Sequence, residues 1–111
     1  MKKTKEQVPI QSELILYQTE DGKTNIEVRL QDETVWMSQL AMADLFQTTV
    51  SNINIHLNNV YEEGELTEAA TIKDYLIVRQ EGVRQVRRNV RHYNLEAIVA
   101  VGYRVKSHRG T

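Results

Sequence analysis

The chain has 111 residues and a mass of 12.9 kDa, 41% hydrophobic and 26% charged, which suits one soluble domain with a small core and excludes a multidomain enzyme. Its longest unbroken apolar run, Ala97 to Val101, is far short of the roughly 20 residues of a membrane span, no apolar stretch follows Met1-Lys2-Lys3 to make a signal peptide, and the lack of cysteine excludes disulfide scaffolds, CxxC redox motifs and thiol catalysis. The net charge of −1 hides a split: residues 1–70 hold five Lys/Arg and twelve Asp/Glu, a net of −7, while residues 71–111 hold nine Lys/Arg and three Asp/Glu, a net of +6.

Residues 1–13 are polar, contain the only proline (Pro9) and show no period, so they read as a flexible tail ahead of a domain over 14–111. Leu14 to Tyr17 is a short strand candidate. Ile26, Val28 and Leu30 alternate with polar residues, the period of a half-buried strand. Asp21-Gly22 between the two runs is a hairpin turn, because glycine tolerates positive φ. Thr34-Val35-Trp36 is a third strand candidate.

A helical pair follows. Ser38 is placed to cap a helix over Gln39–Phe46, with Leu40, Ala43, Leu45 and Phe46 as its inner face. Gln47-Thr48-Thr49 is a short polar connection, and Thr48 or Thr49 can cap a second helix from Val50 to about Glu63. Val50, Ile53, Leu57 and Val60 fall at spacings of three and four, one buried stripe. Gly64 is its expected stop. Ile72 to Val78 is rich in β-formers, Glu81-Gly82 suits a turn, and Val86 and Val90 alternate with polar neighbours out to Tyr93, which reads as a long hairpin; Val83, Val86 and Val90 also fit a helical period. Asn94 is placed to cap a last helix carrying Leu95, Ile98, Val99 and Val101, with Gly102 near its end. The chain then stops at Ser107-His108-Arg109-Gly110-Thr111 without a closing element, as a fragment of a longer protein would.

Residues 39–57 have the make-up of a helix-turn-helix. Ala43 is small enough for a close helix crossing. The turn is short, and the second helix pairs a buried stripe with a polar face carrying Ser51, Asn52 and Asn58. Gln47 stands where such turns often hold glycine, so the turn is either wider than usual or locally strained. A strand hairpin after such a unit is the order of a winged helix, whose wing runs along phosphates. The wing candidate, Val83 to Tyr93, carries Arg84, Arg87, Arg88 and Arg91, with Lys73 and Arg79 on the preceding strand. Arginine suits phosphate because its charge is fixed and its donors are forked. Thr49, Ser51, Asn52 and Ile55 lie in the N-terminal half of the second helix, where Asn can pair with adenine and Ile can meet a thymine methyl. Each also has an ordinary explanation: solvated surface for Ser and Asn, a cap role for Asn52, and a dimer contact for Ile55.

Other chemistry is weakly signalled. His56, His92 and His108 match no local metal motif, and no metal or cofactor is expected. Glu62-Glu63-Gly64-Glu65 reads as an acidic helix end. No GxSxG, P-loop or GxGxxG occurs. Trp36, with Phe46 and Tyr61, reads as core between the N-terminal sheet and the helices.

Several blocks are familiar together: Leu16-Tyr17-Gln18-Thr19-Glu20-Asp21-Gly22, Ile26-Glu27-Val28-Arg29-Leu30, Glu33-Thr34-Val35-Trp36-Met37-Ser38, Glu62-Glu63-Gly64-Glu65-Leu66, Tyr93-Asn94-Leu95-Glu96-Ala97-Ile98, and Val101-Gly102-Tyr103-Arg104-Val105-Lys106-Ser107-His108-Arg109-Gly110-Thr111. With these blocks the chain resembles the RhuM-type virulence protein family of bacteria from about Leu14 to Thr111. The resemblance implies a DNA-binding module without assigned catalytic residues, and members that continue past the last block into further helical sequence.

The expected fold is therefore α+β, a winged helix-turn-helix-like domain with an N-terminal β-hairpin and a closing C-terminal helix. The expected function is duplex DNA binding by a cytoplasmic bacterial regulator of virulence-associated or mobile-element genes. It would be no enzyme, would not bind membranes, and would act as a homodimer reading spaced half-sites. Two alternatives stay open. One is a protein-interaction module that docks an acidic partner without touching DNA. The other is an accessory domain of a toxin or enzyme whose catalytic part lies elsewhere.

Overall fold

The computed structural model describes residues 13–109; the expected tail lies outside them except for Glu13, which opens the first strand. The elements run β1 (Glu13–Gln18), β2 (Asn25–Gln31), β3 (Thr34–Ser38), α1 (Gln39–Phe46), α2 (Val50–Glu62), α3 (Glu68–Thr71), β4 (Ile72–Glu81), β5 (Arg84–Asn94) and α4 (Leu95–Arg109). The five strands form one antiparallel sheet in the order β1-β2-β3-β5-β4. The fold is mixed α+β.

Turn chemistry sets the register. Between β1 and β2, the Asp21 carboxylate accepts from the Lys23 amide at 3.0 Å and the Thr19 hydroxyl at 2.7 Å, with Gly22 at φ +72°. The first of these bonds, then the second, holds the Asp21 carboxyl below its usual range. Between β2 and β3 the chain turns on Asp32 and Glu33, at φ +56° and +60°. Both central residues of such a tight hairpin take positive φ, as a type I′ turn requires, and here no glycine serves. Between β4 and β5, Gly82 takes φ +65° and leaves Val83 almost wholly exposed at the tip.

The core forms where one sheet face meets the helices. Ile26, Met37 and Tyr93 come from the sheet, Ala41, Met42 and Ala43 from α1, Ile53 and Leu57 from α2, and Ala97, Ile98, Val101 and Val105 from α4. Strand alternation turns the neighbours of these residues to the other face. Trp36 is therefore buried on the far side of the sheet from Phe46 and Tyr61, correcting the expected shared cluster. Its indole N–H donates to the Gln31 carbonyl at 3.0 Å, and the Lys73 ammonium lies 5.0 Å from its ring centroid.

The helix caps follow the sequence. The Ser38 hydroxyl accepts from the Ala41 amide at 3.1 Å, Thr49 from the Asn52 amide at 3.0 Å, and the Asn94 side-chain oxygen from the Ala97 amide at 3.2 Å. Gly64, at φ +76°, follows the end of α2. Some apolar residues assigned inward are not. Leu40, Leu45 and Val50 are exposed, because each lies on a helix flank that no other described element covers, and the apolar Leu95 and Val99 of α4 are exposed as well. Gly102 does not end α4. It sits mid-helix, where the Phe46 ring packs so close that a Cβ there would come within 2.8 Å of Cζ.

The short α3 has no counterpart in the sequence reading. Thr71 donates to the Thr67 carbonyl at 2.7 Å, which uses its only hydroxyl hydrogen, so the Tyr61 hydroxyl donates to Thr71 at 2.8 Å. Burial pushes the Tyr61 phenol up. This chain of hydroxyls fastens α3, and with it the start of β4, to α2.

Candidate nucleic-acid interface

The connection between α1 and α2 comprises Gln47, Thr48 and Thr49. Gln47 adopts φ +56°, ψ +51°, the left-handed conformation that glycine favours. Of the two alternatives the sequence left open, local strain is the one found. The Gln47 side chain donates to the Asp44 carbonyl at 2.8 Å, and the Thr48 amide reaches the Ala43 carbonyl at 2.9 Å.

At 100° per residue, Ser51, Ile55, Asn58 and Glu62 form the outward stripe of α2. Ser51 and Ile55 are exposed there, as expected. Thr49 and Asn52 are placed differently. Thr49 is the helix cap, and the Asn52 side-chain amide donates to the Thr48 hydroxyl at 2.9 Å. Both thereby hold the turn, and Asn52 faces a cleft shared with Tyr103, Arg104 and Ser107 of α4. On the opposite flank, the Asn54 side chain accepts from Gln39 at 3.3 Å, and the same Gln39 amide donates to the Tyr93 hydroxyl at 3.0 Å. Asn54 and Asn58 border a hollow with Arg91. The sequence reading had Asn58 among the polar residues but passed over Asn54. Its position on the flank nearest β5 could be seen only once β5 was in place. No Lys, Arg, Asp or Glu occurs from Val50 to Tyr61.

The long hairpin expected from Ile72 to Tyr93 is present as β4 and β5, and the wing candidate is its second strand. Only residues 92–94 of β5 also pair with β3, so most of β4 and β5 pair with each other alone. They form an arm that projects beyond the rest of the sheet. The register divides its cations. Arg87 and Arg91 share the helix-bearing face with Tyr93, while Arg84 and Arg88 share the other face with His92, Lys73 and Arg79.

Most of these cations have acidic neighbours. Lys73 pairs with Asp32, Arg79 with Glu27 at 3.2 Å, Arg88 with Glu81 at 2.9 Å, and Arg91 with Asp74 at 3.8 Å. Arg84 and Arg87 make no ion pair among the described residues. These exposed pairs are worth about 0–1 kcal/mol each, so a phosphate can displace the carboxylate at little loss.

At the root of the arm, Tyr75 stacks edge-on against His92 at 4.7 Å, Arg29 lies 5.0 Å from the Tyr75 ring centroid, and the Tyr75 hydroxyl donates to the Gln31 side chain. Burial pushes the His92 imidazole below its ordinary range and raises the Tyr75 phenol. The His92 Nδ1 lies 2.9 Å from the Val90 carbonyl, which suits an Nδ1–H tautomer. Among the described residues no group of three or more His, Asp or Glu side chains gathers at metal-binding distance, and no helix is long and apolar enough to cross a membrane.

No curated protein and no solved structure matches this chain. Residues 70–111, the stretch that holds the arginine-rich arm and α4, match the model of the Virulence protein RhuM family, so the RhuM resemblance read from the sequence holds over this part of the chain.

Proposed function

We propose that this chain is a duplex-DNA-binding module in which α1 and α2 act as a helix-turn-helix and the β4–β5 arm acts as its wing. The observation that carries the reading is the junction of the two parts. The uncharged polar flank of α2, Asn54 and Asn58, adjoins Arg91 at the root of a cationic arm. In this reading Ser51, Asn54, Ile55 and Asn58 meet base edges, where side-chain amides and apolar groups discriminate between pairs. Arg84, Arg87, Arg88 and Arg91 meet phosphates. Thr49 and Asn52 support the turn. The expected role is that of a bacterial regulator of virulence-associated or mobile-element genes.

The paired cations favour a second reading, a module that docks an acidic protein surface, because carboxylates already occupy four of the six basic side chains first assigned to phosphate. Fluorescence anisotropy of a labelled mixed-sequence duplex separates the two. The DNA reading expects binding at low salt that weakens steeply as salt rises. A folded chain that leaves the duplex unbound at low salt would sink it in favour of protein docking.

A further inference from the structure

The end of the sheet farthest from the arm carries an unguarded strand. β1 pairs only with β2, so its other edge is open among the described residues. Four consecutive apolar residues lie on it, Leu14, Ile15, Leu16 and Tyr17, and each is 43–59% exposed. Alternation puts Ile15 and Tyr17 on one face and Leu14 and Leu16 on the other, so both faces of the strand are bare. Edge strands are ordinarily protected by a charge, a proline or a bulge. Residues 14–19 contain no charge and no proline, and β1 runs in unbroken register with β2.

We infer that β1 is a self-association edge, and that two copies of this chain pair their β1 strands antiparallel about a two-fold axis to make one ten-stranded sheet. An open backbone edge is a template for another extended strand, and this one is self-complementary. A two-fold axis normal to the sheet puts residues of like face opposite each other. Centred on Leu16, it sets Leu16 against Leu16 and Ile15 of one copy against Tyr17 of the other, a β-branched–aromatic pair. The same register carries each Glu13 past the apolar run to face Thr19. No like charges meet along the run, and the chain's net charge of −1 adds little repulsion between copies. Both arms and both α2 helices stay clear of the junction. A single strand pair is a small interface, at the weak end of specific association, so the dimer dissociates in about the micromolar range. The inference stands independently of the DNA reading.

The test uses the full chain in two measurements. Analytical ultracentrifugation should show a concentration-dependent dimer that Leu16→Lys abolishes while the circular dichroism spectrum stays unchanged. The chain's lack of cysteine makes single-cysteine cross-linking clean. Cα atoms of facing residues in an antiparallel pair lie about 4.5–5.5 Å apart, within disulfide reach. Leu16→Cys should therefore cross-link under mild oxidation, and Val83→Cys at the arm tip should not. A chain that stays monomeric at about 100 µM overturns the inference. So does a dimer indifferent to Leu16→Lys that cross-links at Val83→Cys. A chain shortened to begin at Glu13 that dimerises when the full chain does not would assign the edge to residues 1–12 instead.

Discussion

Gly102 offers a prediction whose sign the structure reverses. Replacing a mid-helix glycine by alanine ordinarily stabilises by about 0.8–1.0 kcal/mol, because alanine has the better helix propensity. At Gly102 the added Cβ would lie 2.8 Å from Phe46 Cζ and 2.9 Å from Cε1. The ring must move out of its place between α1 and α4, and overpacking of this kind costs about 1–3 kcal/mol. The balance is a net destabilisation of about 1 kcal/mol for Gly102→Ala. Without the ring, the propensity gain should reappear. In a Phe46→Ala background, Gly102→Ala should stabilise by about 1 kcal/mol, a coupling of about 2 kcal/mol between the two sites. Urea unfolding of the four proteins, followed by circular dichroism, measures each free energy. If Gly102→Ala stabilises the otherwise unchanged chain by as much as it does the Phe46→Ala variant, the two residues do not touch as described.

Three further outcomes follow from the same geometry. Gln47→Gly should exceed Gln47→Ala in stability by about 1 kcal/mol, because the left-handed backbone at this position strains any residue with a Cβ; equal urea midpoints would remove the strain argument. Asn94→Ala should cost about 1–2 kcal/mol, with partial recovery in Asn94→Ser, because the side-chain oxygen caps α4 at Ala97 and the side-chain amide reaches the Ala70 carbonyl. Burial lowers the folded-state pKa of His92 beneath its unfolded value of about 6.5. The unfolded chain therefore takes up the proton first, so the stabilisation is present above about pH 6.5 and is lost as pH falls through the folded-state value. Thermal melts between about pH 7 and 5 should show that decline, and His92→Gln should flatten it.

What the sequence revealed and what it withheld divide along physical lines. Ser38 and Asn94 could be identified as caps, and the cap of α2 narrowed to Thr48 or Thr49, because capping is local: the residue, its φ and its acceptor atom lie within one turn of the amide served. The alternation of Ile26, Val28 and Leu30 marked β2 for the same reason. Val83, Val86 and Val90 fitted a helical period as well as a hairpin, and only pairing with β4, which is non-local, decided for the hairpin, with Val86 and Val90 in β5 and Val83 in its turn. Helical periodicity located α2 and α4, but it could not tell which flank of the apolar stripe another element would cover, so Val50, read as part of the buried stripe, lies outside, as do the apolar Leu95 and Val99 of α4. Gly102 was read as a helix end because its reason for being glycine is Phe46, far away in the chain. At the candidate interface, the cluster of arginines was visible in the sequence. Their pairing with Glu27 and Asp74, and their division between two faces, depended on strand register. Asn54 was missed because its importance comes from its neighbours across the fold, Gln39 and β5.

The central claim is that the arm meets phosphate, and the salt dependence of duplex affinity tests it most directly. Each neutralised phosphate contributes about −0.9 to the slope of log K against log salt. Arg84 and Arg87 have no carboxylate partner among the described residues, so both are available to phosphate without breaking an ion pair. The account predicts that Arg84→Ala/Arg87→Ala weakens binding to all duplex sequences alike and makes the slope shallower by about 1.8. An unchanged slope and affinity in the double variant would contradict phosphate contact through the arm.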